Sequence, residues 1–152
     1  VNARALLAWV AATLGVASAG LLIAAEHLVM PWVVVGQSME PTLHPGDRVL
    51  VDRWTYRHRR PRAGEIALLL APSDQPLVKR VAGPPTSDGR LRVVGDNAAN
   101  SVDSRQFGAL PPRRFRGRIV FRYWPLARAG PLTRRQPGPP APPRAGRRAL
   151  IE

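Results

Sequence analysis

From Ala5 to Ala25 the chain reads ALLAWVAATLGVASAGLLIAA, 21 residues without a charge. At about 1.5 Å per residue, a helix of that length spans the roughly 30 Å hydrocarbon layer of a bilayer. The stretch therefore reads as a transmembrane helix, and residues 1–27 as a membrane anchor. Arg4 and the α-amino group lie just before it, which places the N-terminus in the cytoplasm. Everything after Glu26 is then expected on the outer face of the plasma membrane, in a single-pass protein. The rival reading is a cleaved signal peptide with Ala17-Ser18-Ala19 as the cleavage site. Against it, the apolar run continues through Leu21, Leu22 and Ile23, past the point where a short signal-peptide core stops.

After the anchor the pattern becomes strand-like. Residues 33–35, 48–51, 66–70, 77–81, 91–94 and 119–123 are short β-branched or aromatic runs, separated by turn formers such as Pro45-Gly46-Asp47, Pro72-Ser73-Asp74 and Gly95-Asp96-Asn97. The spacing leaves no room for crossover helices, so the expectation is an all-β domain of short, mostly antiparallel strands over residues 28–130. Residues 131–152 are rich in Pro and Arg and lack aromatics, the composition of a disordered tail. Among 152 residues, 23 Lys or Arg against 10 Asp or Glu give a net charge of +13, which alone would suit nucleic acid or an anionic membrane surface. A membrane anchor leaves the bilayer as the expected contact and no nucleic acid. There is no cysteine, and His27, His44 and His58 lack the spacing of a helical zinc motif, so no metal and no cofactor are expected.

One residue stands apart in this arginine-rich composition. Lys79, in QPLVKRVAG, is the only lysine in the chain. Arginine cannot give up its proton in a protein, whereas a buried lysine can, and a neutral amine can activate a serine. Lys79 follows Leu77 and Val78 in an apolar strand, where desolvation favours the neutral form. A serine at the end of another strand, Ser38, lies in VVVGQSMEPTLHPGD (33–47). His44 is close in sequence, but it sits between Leu43 and Pro45 in a turn with nothing evident to orient it, as a triad histidine requires. The third stretch is GDNAANSVDSRQFG, residues 95–108.

Taken together, these stretches resemble the type I signal peptidases, membrane-anchored serine–lysine endopeptidases. The nucleophile box GxSMxPTL is similar to Gly36 to Leu43, a GDxVxV stretch to Gly46 to Val51, KRVxG to Lys79 to Gly83, and GDNxxxSxDSRxxG to Gly95 to Gly108. The resemblance covers Leu28 to about Gly130. It implies that Ser38 is the nucleophile, Lys79 the general base and Ser101 a hydroxyl that orients the lysine. It also implies that Asp103 and Arg105 form an ion pair near the site, that Asp96 and Asn97 make a supporting turn, and that the Ser38 N–H donates to the oxyanion. An extended substrate would be clasped by the strands before the two catalytic residues, at Val34, Val35, Gly36 and Gln37 and at Leu77 and Val78. Met30, Trp32 and Trp54 suit either the lipid interface or a partly buried position.

Two departures shape the expectation. Only 15 residues separate Lys79 from Gly95, so the large accessory β-domain of some relatives is absent, and Gly36 stands where some relatives carry a second hydroxyl donor to the oxyanion. The compact form is similar to the small peptidases of Gram-positive bacteria and of mitochondrial inner membranes, and to nickel superoxide dismutase maturation peptidases. The expected partners are signal-peptide-bearing precursors and the lipid bilayer, and the expected state is a monomer. Two alternatives stay open: a maturation peptidase dedicated to one or few substrates, and a catalytically silent, membrane-tethered basic binding protein, which would account for Arg57, Arg59, Arg60 and Arg62. Self-cleaving repressors use a related serine–lysine domain, but with a DNA-binding domain where this chain has an apolar run.

Overall fold

A computed structural model describes residues 2–133 of the chain. Helix α1 covers Ala3–Leu28, and over Ala3–Gly20 none of it is buried against the rest of the protein. Leu7, Trp9 and Val16 stand exposed on it, as side chains facing lipid would. The helix is the one candidate membrane span among the described residues.

The rest is a seven-stranded sheet in which every pairing is antiparallel. Its strands are β1 (Val29–Val33), β2 (Arg48–Asp52), β3 (Ile66–Leu70), β4 (Pro76–Val81), β5 (Val93–Val94), β6 (Phe115–Trp124) and β7 (Gly130–Pro131). The order across the sheet is β1-β2-β6-β3-β4-β5, with β7 paired to β6. Two short helices interrupt the strands, α2 (Thr55–His58) and α3 (Ser104–Phe107). The mostly antiparallel β domain behind one apolar N-terminal helix is the fold class that the strand spacing implied.

Burial follows the strand period. In β2, Val49 and Val51 are buried while Arg48 is exposed; in β6, Phe115, Gly117 and Ile119 point inward between arginines. Central β3 is buried from Ile66 to Leu69, as befits a strand covered on both faces. Two apolar clusters result. One gathers Val34, Met39, Leu43, Val49, Ile66 and Leu68, with Met30, Trp32 and Val78 packed against it; the other gathers Ala67, Leu69, Val81, Leu91, Val93 and Phe115. Side chains from β1 and β4 meet in the first cluster although the two strands lie far apart in the strand order, so the sheet curls on itself.

Four boundaries differ from the sequence reading, one of them that of β6, which runs over Phe115–Trp124 and not 119–123. The first strand lies at 29–33, not 33–35, and follows α1 directly. The penultimate expected strand shrinks to Val93–Val94, with Leu91 making an isolated bridge to Leu110. The sheet also continues to β7, and the Leu132 N–H donates to the Val120 carbonyl, so residues up to 132 stay on the domain. Residues 134–152 of the expected disordered tail lie outside the described residues.

Candidate active site

The segment carrying Ser38 is fixed on both sides. The Val34 N–H donates to the Asp47 carbonyl at 2.8 Å and the Gly46 N–H to the Val34 carbonyl at 2.9 Å, continuing the edge of the sheet past β1. The chain then turns at Gly36, where φ is 86°, a left-handed conformation that favours glycine. Beyond Ser38, Met39 and Leu43 are buried in the core and a 2.9 Å backbone hydrogen bond joins them. Ser38 is thereby held half-buried between two anchors.

Lys79 lies in β4 opposite Ala67 of β3 and is 3% exposed. Its Nζ donates to Ser101 Oγ at 3.1 Å, and the Ser101 hydroxyl donates in turn to Asp103 Oδ2 at 2.8 Å. Because that hydroxyl proton is directed at the carboxylate, the Ser101 oxygen faces Lys79 as an acceptor. A neutral Lys79 would then keep its lone pair free for another proton. Burial pushes the Lys79 amine below the ordinary lysine range; the Asp103 carboxylate opposes this and the Arg105 guanidinium adds to it.

Asp103 is fully buried. Burial by itself would raise its pKa, but hydrogen bonds from Arg105, from the Gly95 N–H and from Ser101 outweigh that and hold the carboxyl well below the usual range. Arg105 reaches it through Nε at 2.9 Å and Nη2 at 2.7 Å. Asp103 also caps α3: the Arg105 N–H donates to its side chain, and Gln106 Oε1 accepts from the Asp103 N–H at 2.8 Å.

Gly95 joins the serine and lysine halves. The position a Cβ would take there overlaps both the Ser38 carbonyl oxygen and Ser101 Oγ, and lies 2.5 Å from Ser101 Cβ. Only a glycine lets those two segments approach so closely. The Asn97 N–H donates to the same Ser38 carbonyl at 3.0 Å. On the other side of β4, Arg80 holds Asp96 with two hydrogen bonds, 2.7 and 2.6 Å, and Thr42 Oγ1 donates to Asp96 Oδ2 at 2.6 Å. Ser38, Lys79, Ser101, Asp103, Arg105, Asp96 and Asn97 thus converge on one region. No hydrogen bond joins Ser38 to Lys79 among the described residues; the link runs through Gly95 and Ser101.

The residues singled out for substrate contact are placed unevenly. The Val34 side chain is in the core and its peptide groups are paired with Asp47 and Gly46. Alternation then turns the exposed Val35 backbone toward the open side of this edge. Gly36 and Gln37 are exposed, while Leu77 and Val78 are half-buried. Strand β5 covers β4 only at Arg80 and Val81, so β4 keeps a free edge at Leu77 and Val78.

Several supporting residues escaped the sequence reading. Arg80 and Thr42 form the clamp on Asp96, which does more than shape a turn. Asp47 is buried and accepts from Arg122 at 3.2 Å and Arg128 at 2.8 Å, fastening the Ser38 loop to the end of the sheet. Asp103 followed three residues later by Gln106 is a capping-box signal that could have announced α3. His44 is not unaccompanied: its Nδ1 lies 3.4 Å from Glu40 Oε1, at a half-exposed position. Among the described residues, no group of acidic residues and histidines could hold a metal ion.

The sequence profile of the family described as signal peptidase, peptidase S26, matches residues 6–87 and 86–124, which includes every motif described above. The chain belongs to that family. It is similar to the mitochondrial ATP-independent inner membrane protease subunit 1b of Arabidopsis thaliana, with 36% identity over 120 residues, 64% of this chain and 71% of that protein. It is similar to the probable signal peptidase I-2 of Synechocystis, with 29% identity over 143 residues, 66% of this chain and 65% of that protein. Signal peptidase IB of Staphylococcus aureus matches at 25% identity over 177 residues, 82% of this chain and 92% of that protein. As a member of the signal peptidase family the chain is a membrane-associated peptidase, and its apolar helix supplies a candidate attachment.

Proposed function

We propose that this protein is a membrane-anchored serine endopeptidase that removes signal peptides from exported precursors, with Ser38 as nucleophile and Lys79 as general base. The observation that supports it most is the buried Lys79 amine, turned toward Ser101 and brought beside the Ser38 segment by Gly95. In the acylation step neutral Lys79 takes the Ser38 hydroxyl proton while Oγ bonds to the scissile carbonyl carbon. The Ser38 N–H donates to the resulting oxyanion, a contact of a kind worth about 3 kcal/mol. Lys79 then passes its proton to the leaving amine as the peptide bond breaks. Water, deprotonated by the same amine, cleaves the acyl-enzyme and restores both side chains. Asp103 and Ser101 act through Lys79, as positioning residues.

Substrate would add as a strand between the open edges at Val35 and at Leu77 and Val78. Met39 and Leu43, which follow Ser38, and Val78, which precedes Lys79, pack in one filled apolar cluster, so small side chains should be required at alternate positions of the substrate. In detergent or proteoliposomes, a precursor with Ala, Gly or Ser before the cut and a small residue two positions earlier should be processed. Phe or Lys immediately before the cut should abolish processing, as read by N-terminal sequencing of the product. Equal turnover of both would sink the substrate assignment. In this reading the domain lies on the outer face of the cell membrane and the protein acts as a monomer. A second reading, a peptidase dedicated to one or few substrates, gains support from the mitochondrial inner membrane protease subunits among the relatives.

The pH dependence follows from the lysine. The active form carries neutral Lys79, so the rate rises with pH along a limb set by its lowered pKa. Arg105 helps to lower that pKa, so Arg105→Gln should move the limb to higher pH and reduce the rate most on the acid side. A pH–rate profile of kcat checks this. A uniform loss at every pH, with the limb unmoved, would show Arg105 to be structural only.

A further inference from the structure

A cavity of about 400 Å³ opens at the end of the sheet away from the Asp103 network. Its floor is apolar: Met30 and Trp32 of β1 with Leu68 and Leu70 of β3. Its rim carries Arg53, Arg57 and Arg116. Among the described residues none of these three guanidinium groups has a hydrogen bond or ion pair, whereas Arg59, Arg118, Arg122 and Arg128 are all matched to Glu65 or Asp47. The nearest carboxylate in sequence, Asp52, is engaged in capping the following turn through the Trp54 and Thr55 N–H groups. Three uncompensated positive charges around an apolar pocket call for a ligand with an anionic head and an apolar body.

The position in the fold narrows the class. The Arg53 N–H donates to the Leu28 carbonyl at 2.8 Å, so the rim is fastened to the last residue of α1, where the apolar helix leaves the bilayer. Beside it Trp54 is half-exposed and stacks on His58 with ring centroids 3.8 Å apart, a pairing of the amphipathic kind found at headgroup level. We propose that this cavity binds one anionic phospholipid from the leaflet that the domain faces. The headgroup phosphate lies among Arg53, Arg57 and Arg116, and part of an acyl chain lies on the Met30–Leu68 floor. The bound lipid would fix the height and tilt of the sheet on the membrane. The basic leading segment of a signal peptide is a poor occupant, because the three arginines repel it. The assignment goes beyond peptidase action and does not depend on it.

The test uses the full chain in nanodiscs, with spin-labelled phosphatidylglycerol or phosphatidylcholine as probes. The wild type should immobilise the phosphatidylglycerol probe in preference to phosphatidylcholine. Arg57→Gln and Arg116→Gln should each weaken that preference about fivefold, the scale expected for one arginine near a membrane surface. The triple variant that adds Arg53→Gln should erase it. A control triple, Arg62→Gln, Arg92→Gln and Arg113→Gln, removes the same charge from exposed sites elsewhere and should leave the preference intact. Equal loss in both triples would reduce the effect to general electrostatics and overturn the site. If the Arg53 substitution unfolds the protein, the two single variants decide alone, since no change in either would also overturn it. Millimolar inorganic phosphate should not displace the probe; displacement would make this a soluble-anion site and overturn the lipid assignment.

Discussion

Lys79→Arg should lower precursor cleavage by about 10²- to 10⁴-fold, the range that general-base assistance supplies. The substitution keeps a positive charge and a long apolar stem, so a lysine that served structure or lipid would survive it. The guanidinium stays protonated at any working pH and has no lone pair to offer. Burial already biases Lys79 toward its neutral form, and arginine cannot follow that bias. Ser38→Ala should lose a similar amount, because members of one catalytic unit are not additive. The comparison is precursor cleavage by both variants and wild type, with folding followed by circular dichroism. A folded Lys79→Arg protein that kept more than about a tenth of wild-type activity would refute the serine–lysine mechanism, given the general-base magnitude.

The strands at 48–52, 66–70 and 76–81 were legible because β-branched and aliphatic runs between strong turn formers have few alternatives. The first strand was not, and its residues explain why. VMPWV contains Pro31, which argues against a strand in the middle of a sheet; β1 is an edge, where a missing N–H is tolerated. The apolar Val33–Val35 looked more strand-like, yet only Val34 of its last two residues is bonded to the sheet. In β6, alternating arginines hid the inward set Phe115, Gly117 and Ile119, so a ten-residue strand read as five.

The candidate site divides along the same line. Ser38, Lys79 and Ser101 lie in short boxes of unusual composition, Lys79 being the one lysine of the chain, so those boxes could be picked out in the sequence. The clamp of Arg80, Asp96 and Thr42 could not, because it joins residues 54 and 16 positions apart and uses the most common charged residue in the chain. Strand alternation does give the principle in retrospect: neighbours Lys79 and Arg80 face opposite sides of β4. Lys79 meets Ser101, and Arg80 ties the Ser38 loop to the turn at Asp96. One strand therefore both holds the proposed base, Lys79, and sets its distance from Ser38.

Gly95→Ala should be nearly as damaging as losing a catalytic group, although it removes no chemistry. The added methyl has no free volume, since it would overlap the Ser38 carbonyl oxygen and the Ser101 hydroxyl at once. A carbonyl oxygen is backbone and cannot swing aside, so the Ser38 segment or the 95–103 loop must shift. Either movement separates the serine from the Lys79–Ser101 pair, and a displacement of 1 Å at a reacting centre can cost about 10²-fold in rate. Overpacking of this kind also costs about 1 to 3 kcal/mol in stability. Gly83→Ala is the matched control, because nothing lies within 4 Å of its Cβ position and its backbone is not left-handed. Cleavage assays and thermal unfolding on the two variants separate the effects. Gly83→Ala should match wild type in both. Gly95→Ala should lose about 10²-fold in kcat while remaining folded at the assay temperature. Activity within about threefold of wild type, against that expected loss, would mean that the serine and lysine segments do not depend on the close approach at Gly95, and the proposed site geometry would fail.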